Sequence, residues 1–295
     1  MKYFQLLFIT LLISACIGSK SASQSNSIKI TEPIKTTKDT VQIVEKEAEK
    51  FLQTDTIKNN VDKAKVYDIN FNQTLKKRFI TIHQLWDELL EKYVSNNGNV
   101  DYKSFKTDHK KLLDYIYVLN LALSNESFKS FSKEEKLAYW INAYNAMTVD
   151  LILRNYPVKS IKDIKNPWEQ RLWKLGEKWY NLNDIEHQIL RKMNEPRIHF
   201  AIVCASVSCP KLLNGAYTFE NLETQLTKAT KQFLSDSERN SILENDLKLS
   251  KIFQWFSKNF KQNGSLIDFL NEYSEVKISN NAKISFKDYN WDLNE

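Results

Sequence analysis

One stretch of the chain, SKEEKLAYWINAYNAMTVDLI at residues 132–152, decides the fold. Ser132 followed three residues later by Glu135 is a capping box, a pattern with which helices begin. Apolar residues then recur at spacings of one, three or four until Pro157, which predicts a long helix. Because most of its surface is apolar, we expect the helix to be buried at the centre of a domain.

Two asparagines, Asn142 and Asn145, lie within this apolar helix. A buried side-chain amide needs hydrogen-bond partners, so each asparagine is expected to contact polar groups of another element. Two interpretations stay open. The asparagines are either structural links between packed elements or residues that orient a ligand or a catalytic group.

The rest of the chain from about residue 67 predicts further helices and a few short strands. Helical spacing or start signals occur at about 79–93, 106–123, 183–191, 218–233, 250–260 and 265–273, and strands are predicted on both sides of Gly176 and at about 198–203, 242–249 and 282–286. Helices collected around a small, mainly antiparallel sheet predict an α+β fold, a helix-rich single domain.

The N-terminus predicts a lipoprotein signal peptide at residues 1–15. Lys2 precedes a short apolar run, too short for the roughly 20 residues of a spanning helix, and Ser14 and Ala15 are small residues before Cys16. We expect cleavage before Cys16 and lipid attachment to its thiol. An ordinary secretory peptide with a chance cysteine is the alternative. The lipid would anchor the protein in a bacterial cell envelope, and Ile17 fits sorting to an outer membrane.

Residues 16–66 are poor in aromatic side chains and rich in Ser, Thr, Lys and Gln, which predicts a flexible tether before a globular domain at 67–295. The net charge of +6 is dispersed among acidic residues, so nucleic acid is not an expected partner. The expected partners are the membrane, through the lipid, and a cell-wall or envelope-protein substrate.

The segment from Arg197 to Leu212 brings an arginine, a histidine and two thiols close together. Its apolar residues predict a buried strand that ends in a turn before Pro210. Strand alternation would place His199 and Cys204 on opposite faces, whereas Cys209 could cap a helix that begins at Pro210. Arg197 is a candidate contact for an anion.

Cys204 and Cys209 have three interpretations in an envelope protein. They form a disulfide, one of them is a nucleophile, or both are buried thiols. Their spacing does not match the paired pattern of structural zinc sites, and we predict no metal and no cofactor.

The candidate base for a thiol nucleophile is His187 or His199, and Cys209 is the preferred nucleophile. Glu186 or Asp184 is the candidate third member, although Glu186 is also placed to bond back to the Asn183 backbone at a helix start. The helix dipole near His187 would favour its neutral form.

Four motifs together resemble the bacterial members of the family called domain of unknown function 547. They are the segments at residues 139–146, 185–191 and 289–294, and the Arg197–Ala201 segment with Cys204 and Ser208–Pro210. The resemblance covers about residue 79 to the C-terminus and implies the boundaries of a fold rather than a reaction. The similarity to papain-like or transglutaminase-like hydrolases is distant, because the histidines here precede the cysteines, which reverses the usual papain-like order.

Two classes of function therefore remain open. One is a cysteine-dependent hydrolase or acyl transferase that acts on peptide or amide bonds in the envelope. The other is a non-catalytic binding or scaffold lipoprotein in which Cys204 and Cys209 form a disulfide.

Overall fold

Eight α-helices and five short strands are formed by residues 82–295, the part of the chain that the structure, a computed structural model, describes. The helices are α1 at 82–93, α2 at Tyr102–Phe105, α3 at His109–Ser124, α4 at Lys133–Asn155, α5 at Leu222–Ser235, α6 at Lys251–Trp255, α7 at Ser257–Phe260 and α8 at Leu266–Tyr273. The strands are β1 at Trp173–Leu175, β2 at Lys178–Tyr180, β3 at Ser241–Ile242, β4 at Asp246–Leu249 and β5 at Lys283–Phe286.

The predicted signal peptide, the lipid-attachment residue Cys16 and the tether lie outside the described residues. The described residues all belong to one compact unit. Within residues 82–295, no helix is both long enough and apolar enough to cross a membrane.

Helix α4 is the predicted central helix. The Ser132 hydroxyl accepts a hydrogen bond from the Glu135 amide (3.1 Å), and the Glu135 carboxylate accepts one from the Ser132 amide (2.7 Å). This capping box satisfies backbone donors that the first helical turn leaves unpaired. Every residue from Leu137 to Leu153 is buried, so the prediction of a central helix is confirmed.

The strands form two small sheets. β1 and β2 are an antiparallel hairpin around Gly176, whose φ of 59° is a conformation that glycine adopts easily. In the second sheet β4 pairs with β3 antiparallel and with β5 parallel. The helix-rich α+β class is confirmed, with two sheets instead of one.

The predicted strand at residues 198–203 is wrong. Pro196–Phe200 forms a 3-10 helix that begins where the Glu195 carboxylate accepts a hydrogen bond from the Arg197 amide (3.0 Å). A short apolar run fits a buried helical turn as well as a strand, and tertiary packing decides between them. The helix predicted from Pro210 is also wrong, because residues 210–221 contain no helix.

The apolar side chains form two clusters, and the Pro196–Phe200 segment contributes to both. The larger cluster surrounds α4 and includes Ile198, while the smaller one includes Phe200. The ring centroid of Phe200 lies 5.1 Å from that of Phe233 in α5 and 5.7 Å from that of Phe253 in α6. Packing on both sides therefore holds this segment in place.

Candidate functional site

Most of the predicted site residues line one open cavity of about 200 Å³. Glu186, His187, His199, Cys204 and Cys209 are among the lining residues, although they come from separate motifs. The other lining residues are mainly aromatic and apolar: Tyr144, Trp168, Asn183, Ile202, Ile252, Trp255, Phe256, Tyr289 and Trp291. A concave, mostly apolar surface with a few polar groups is typical of a ligand site.

The two cysteines at the cavity form a disulfide, with Cα atoms 6.1 Å apart. Cys204 is half-buried and Cys209 is 2% exposed. The Tyr289 hydroxyl lies 3.2 Å from Cys204 Sγ and 3.3 Å from Cys209 Sγ, and the Ser206 hydroxyl lies 3.2 Å from Cys204 Sγ. In this state neither sulfur is a thiol, so neither can act as a nucleophile.

Asn145 holds the segment that leads into Cys204. Its side-chain Nδ2 donates to the Ala201 carbonyl (2.9 Å) and its Oδ1 accepts from the Val203 amide (3.0 Å). Asn142 makes the same pair of bonds with the backbone of Tyr217, at 2.8 and 2.9 Å. The asparagines therefore link α4 to two loops, and neither lines the cavity.

Glu186 and His187 belong to a π-helical turn at Asp184–Ile189, a type of turn that is frequent at functional sites. Asn183 does not cap this turn, and the Asn181 side chain accepts the hydrogen bond of the Asp184 amide (2.7 Å). The expectation that Glu186 bonds back to Asn183 is wrong. Glu186 Oε2 instead accepts a hydrogen bond from the Tyr144 hydroxyl (3.1 Å).

Glu186 is 6% exposed, and its Oε1 has no hydrogen-bond partner. Burial raises the pKa of Glu186 to about 7, and the smaller effects of the Tyr144 hydroxyl and of Arg191 oppose that rise. Glu186 is therefore a carboxyl group that changes its charge near neutral pH.

Both histidines at the cavity are neutral in this arrangement. Arg191 Nη1 donates to His187 Nδ1 (2.8 Å), and Arg191 Nε donates to Asn259 Oδ1 (2.8 Å), which also accepts from His199 Nε2 (3.2 Å). Burial, followed by the charge of Arg191, lowers the pKa of His187. Burial lowers the pKa of His199 to about 3. The predicted neutral form of His187 thus has burial as its main cause, not a helix dipole.

Arg197 and Asp184 do not line the cavity. The Arg197 guanidinium is paired with the carboxylates of Glu195 and Glu223, at 2.7 and 2.6 Å, and the Glu195 and Glu223 hydrogen bonds raise its pKa. The Asp184 carboxylate pairs with Arg171. Both residues therefore have structural partners away from the cavity.

Four aromatic residues at the cavity were not assigned a site role from the sequence. Ring centroids are 4.8 Å apart for Trp255 and Tyr289, 4.6 Å for Tyr289 and Trp291, and 5.9 Å for Trp291 and Trp168. Tyr289 and Trp291 belong to a motif that carries the family resemblance, a signal that could have identified them. The sequence around Trp168 and Trp255 contains no such signal. We call these four residues the aromatic wall.

No group of three or more His, Cys, Asp or Glu side chains within residues 82–295 is arranged to hold a metal ion. The groups that line the cavity include one carboxyl group, two imidazoles, a disulfide and the aromatic wall.

Residues 128–234 match the family described as "Protein of unknown function, DUF547". The match supports membership of that family and contains α4, the π-helical turn, both cysteines of the cavity and all of α5 except its last residue. The C-terminal motif with Tyr289 and Trp291 lies outside the matched residues. No curated protein and no solved structure matches this chain significantly.

Proposed function

We propose that this protein is a lipid-anchored envelope protein that binds a small ligand, or the end of a larger one, in the cavity beside the aromatic wall. The observation that carries the proposal is an open cavity of about 200 Å³ that is lined by aromatic rings and by a buried glutamate with an unpaired carboxyl oxygen. Aromatic faces supply contact area, and a few fixed polar groups supply orientation. The disulfide lines this binding site.

The location in the cell envelope is the part of the proposal that rests on the N-terminal sequence. A Cys16→Ser variant should lose the lipid, and the full chain should move from the membrane fraction to the soluble fraction. Intact-mass measurement of the mature wild-type protein should show an acylated cysteine at its N-terminus. An unmodified N-terminal cysteine would contradict the lipoprotein assignment.

Ligand binding can be tested with soluble glycan-peptide fragments of bacterial cell wall, titrated against the full chain and followed by tryptophan fluorescence. Trp255 is 45% exposed at the cavity, so Trp255→Ala should weaken binding at least tenfold with little effect on folding. Trp179 is similarly exposed, at 51%, but is not a lining residue. Trp179→Ala is therefore the matched control and should bind like the wild type.

The binding proposal fails if the fragments do not bind, or if Trp255→Ala and Trp179→Ala bind them equally well. The two variants remove the same side chain from similarly exposed positions. A difference between them therefore reports on the cavity.

A second candidate is thiol-dependent acyl transfer, because both cysteines, both candidate bases and Glu186 line the same cavity. A dithiol reductant would supply two electrons and two protons, which converts the disulfide into two thiols. An imidazole would take the proton of one thiol, the thiolate would attack an acyl carbon, the imidazolium would give that proton to the leaving amine, and water would release the acyl group as a carboxylic acid. Cys204 is the more exposed of the two residues, so both must be tested.

Alkylation of the full chain without reductant, followed by intact-mass analysis, measures the disulfide directly. After reduction, a reactive-thiol probe should label Cys204 or Cys209 faster than it labels the denatured chain. His187→Ala or His199→Ala should slow this labelling. If the folded chain is labelled no faster, and neither histidine matters, the thiol mechanism is wrong.

A further inference from the structure

We propose that the cavity binds the primary ammonium group at the end of an aliphatic chain, with Glu186 as its counter-ion. This inference rests on the ligand-binding function proposed above and names the chemical class of the ligand. Its basis is the unpaired oxygen of Glu186, the neutral state of the neighbouring imidazoles and the aromatic wall.

Glu186 Oε1 is an acceptor without a donor. It is buried, whereas Oε2 accepts from Tyr144. His187 Nδ1 lies 4.0 Å from Oε1 and cannot supply a proton, because it accepts the hydrogen bond of Arg191, and a guanidinium only donates. Leaving a buried acceptor unpaired is costly, so a ligand that donates to Oε1 removes this cost.

Charge favours a cation at this acceptor. Glu186 is the only carboxyl group among the lining residues, and both lining histidines are neutral. Arg191 is a positive charge near Glu186, but its guanidinium is held by Asn259 and His187 and lies 5.3 Å from the Phe256 ring centroid. A ligand ammonium that donates to Oε1 would meet the negative charge at hydrogen-bond distance, where the attraction is strongest.

The aromatic wall also fits a cation. An ammonium group over the face of a tryptophan or tyrosine ring is attracted by the ring quadrupole. Trp291 already makes such a contact, because Lys162 Nζ lies 4.1 Å from its ring centroid. The wall therefore has the chemistry to contact the ammonium group and the methylene groups next to it.

The same features exclude other ligand classes. A quaternary ammonium could contact the rings but has no N–H for Oε1, a neutral alcohol has no charge, and an anion would face the Glu186 carboxylate. The cavity of about 200 Å³ is smaller than the 300–1,000 Å³ typical of drug-sized ligands. It fits the aminoalkyl end of a larger molecule, for example a lysine-like side chain.

Binding should depend on pH through Glu186. Its neighbours are Tyr144 from α4 and His187 and Arg191 from its own segment, and His199 and Tyr289 are the other titratable groups that line the cavity beside the disulfide. Burial keeps the pKa of Tyr144 well above its usual range, raises that of Tyr289 to about 12, and lowers those of both histidines. The ionised fraction of Glu186 rises about tenfold from pH 6 to pH 8, while an alkylamine stays protonated.

The test uses n-butylammonium as the probe, titrated by calorimetry against the full oxidised chain at pH 6 and pH 8. We expect binding about tenfold tighter at pH 8, and at least tenfold tighter than that of 1-butanol, butyrate or butyltrimethylammonium. Glu186→Gln keeps the shape of the side chain and should abolish both the preference and the pH dependence. Glu177→Gln removes an exposed carboxylate outside the cavity and should change neither.

Equal binding of 1-butanol or butyltrimethylammonium, or unchanged n-butylammonium binding by Glu186→Gln, would overturn the inference. If Glu186→Gln has no effect while cell-wall fragments still bind in a Trp255-dependent way, the ammonium assignment fails and the ligand-binding function survives. If neither the fragments nor n-butylammonium bind, both fail.

Discussion

Burial changes the pKa of Glu186, the residue on which the proposed ligand binding depends. A carboxyl group in an apolar site is more easily kept protonated, so burial raises its pKa to about 7. The sequence shows a glutamate beside His187, but it does not show the apolar side chains around it. That burial depends on the fold, which brings residues far away in the chain, such as Trp255 and Trp291, to the same cavity.

This shift predicts how stability depends on pH. The folded protein holds the Glu186 proton more tightly than the unfolded chain does, so stability falls as pH rises from the ordinary value of 4.5 to about 7. The shift of the pKa corresponds to a free-energy difference of ~3 kcal/mol between the protonated and the ionised form. Glu186→Gln removes this contribution, so the variant should gain stability relative to the wild type between pH 5 and pH 8.

Urea unfolding of both proteins at pH 5 and pH 8 measures this difference. Glu177→Gln, which removes an exposed carboxylate, should keep the pH dependence of the wild type. A parallel pH dependence of the wild type and Glu186→Gln would show that Glu186 has an ordinary pKa in the folded state.

At the scale of elements, α4 shows what periodicity can and cannot predict. Its capping box and apolar spacing predict its start, its end and its burial, because these depend on residues within the helix. The polar links of Asn142 and Asn145 join the helix to loops 56 to 75 residues away. Their partners are backbone groups, which the side-chain pattern does not identify.

Asn145→Leu should destabilise the protein and also change the cavity. The substitution leaves the Ala201 carbonyl and the Val203 amide without their buried partner, at a cost of about 2–5 kcal/mol for the two groups. Because Ile202 lies between these residues and Cys204 follows them, ligand binding should weaken. Urea unfolding and titration with the ligand probe measure the two effects.

Asn142→Leu is the matched control for this prediction. It removes the same kind of double hydrogen bond, but at Tyr217, which does not line the cavity. Stability should fall by a similar amount while binding is retained. If both variants bind equally at a temperature where both are folded, Asn145 does not position the cavity.

At the scale of the whole molecule, the C-terminal segment holds distant parts of the domain together. The Leu293 amide donates to the Lys159 carbonyl (2.8 Å), and the Val207 amide donates to the Asp292 carbonyl (2.8 Å). The Val100 amide donates to the Asn294 carbonyl (2.8 Å). The same segment supplies Tyr289 and Trp291 to the aromatic wall, so stability and the site depend on the same residues.

Removal of residues 289–295 should therefore lower the free energy of unfolding by several kcal/mol and abolish ligand binding, because it removes these hydrogen bonds and half of the aromatic wall. Removal of Glu295 alone should have little effect, since its described contact is an exposed hydrogen bond from the Tyr156 hydroxyl (3.1 Å). Thermal unfolding and ligand titration of both truncations test this. Normal stability of the longer truncation would contradict the assigned role.

The sequence by itself determined the helix-rich α+β class, the central helix, the β1–β2 hairpin and the set of candidate site residues. These follow from local spacing, capping and turn patterns, which are encoded within a few residues. Only the tertiary structure decided that residues 196–200 are helical, that His199 and Cys204 line one cavity, and that Arg197 is paired elsewhere. Those outcomes depend on packing between residues far apart in the chain, and packing selects among conformations that the local sequence permits equally.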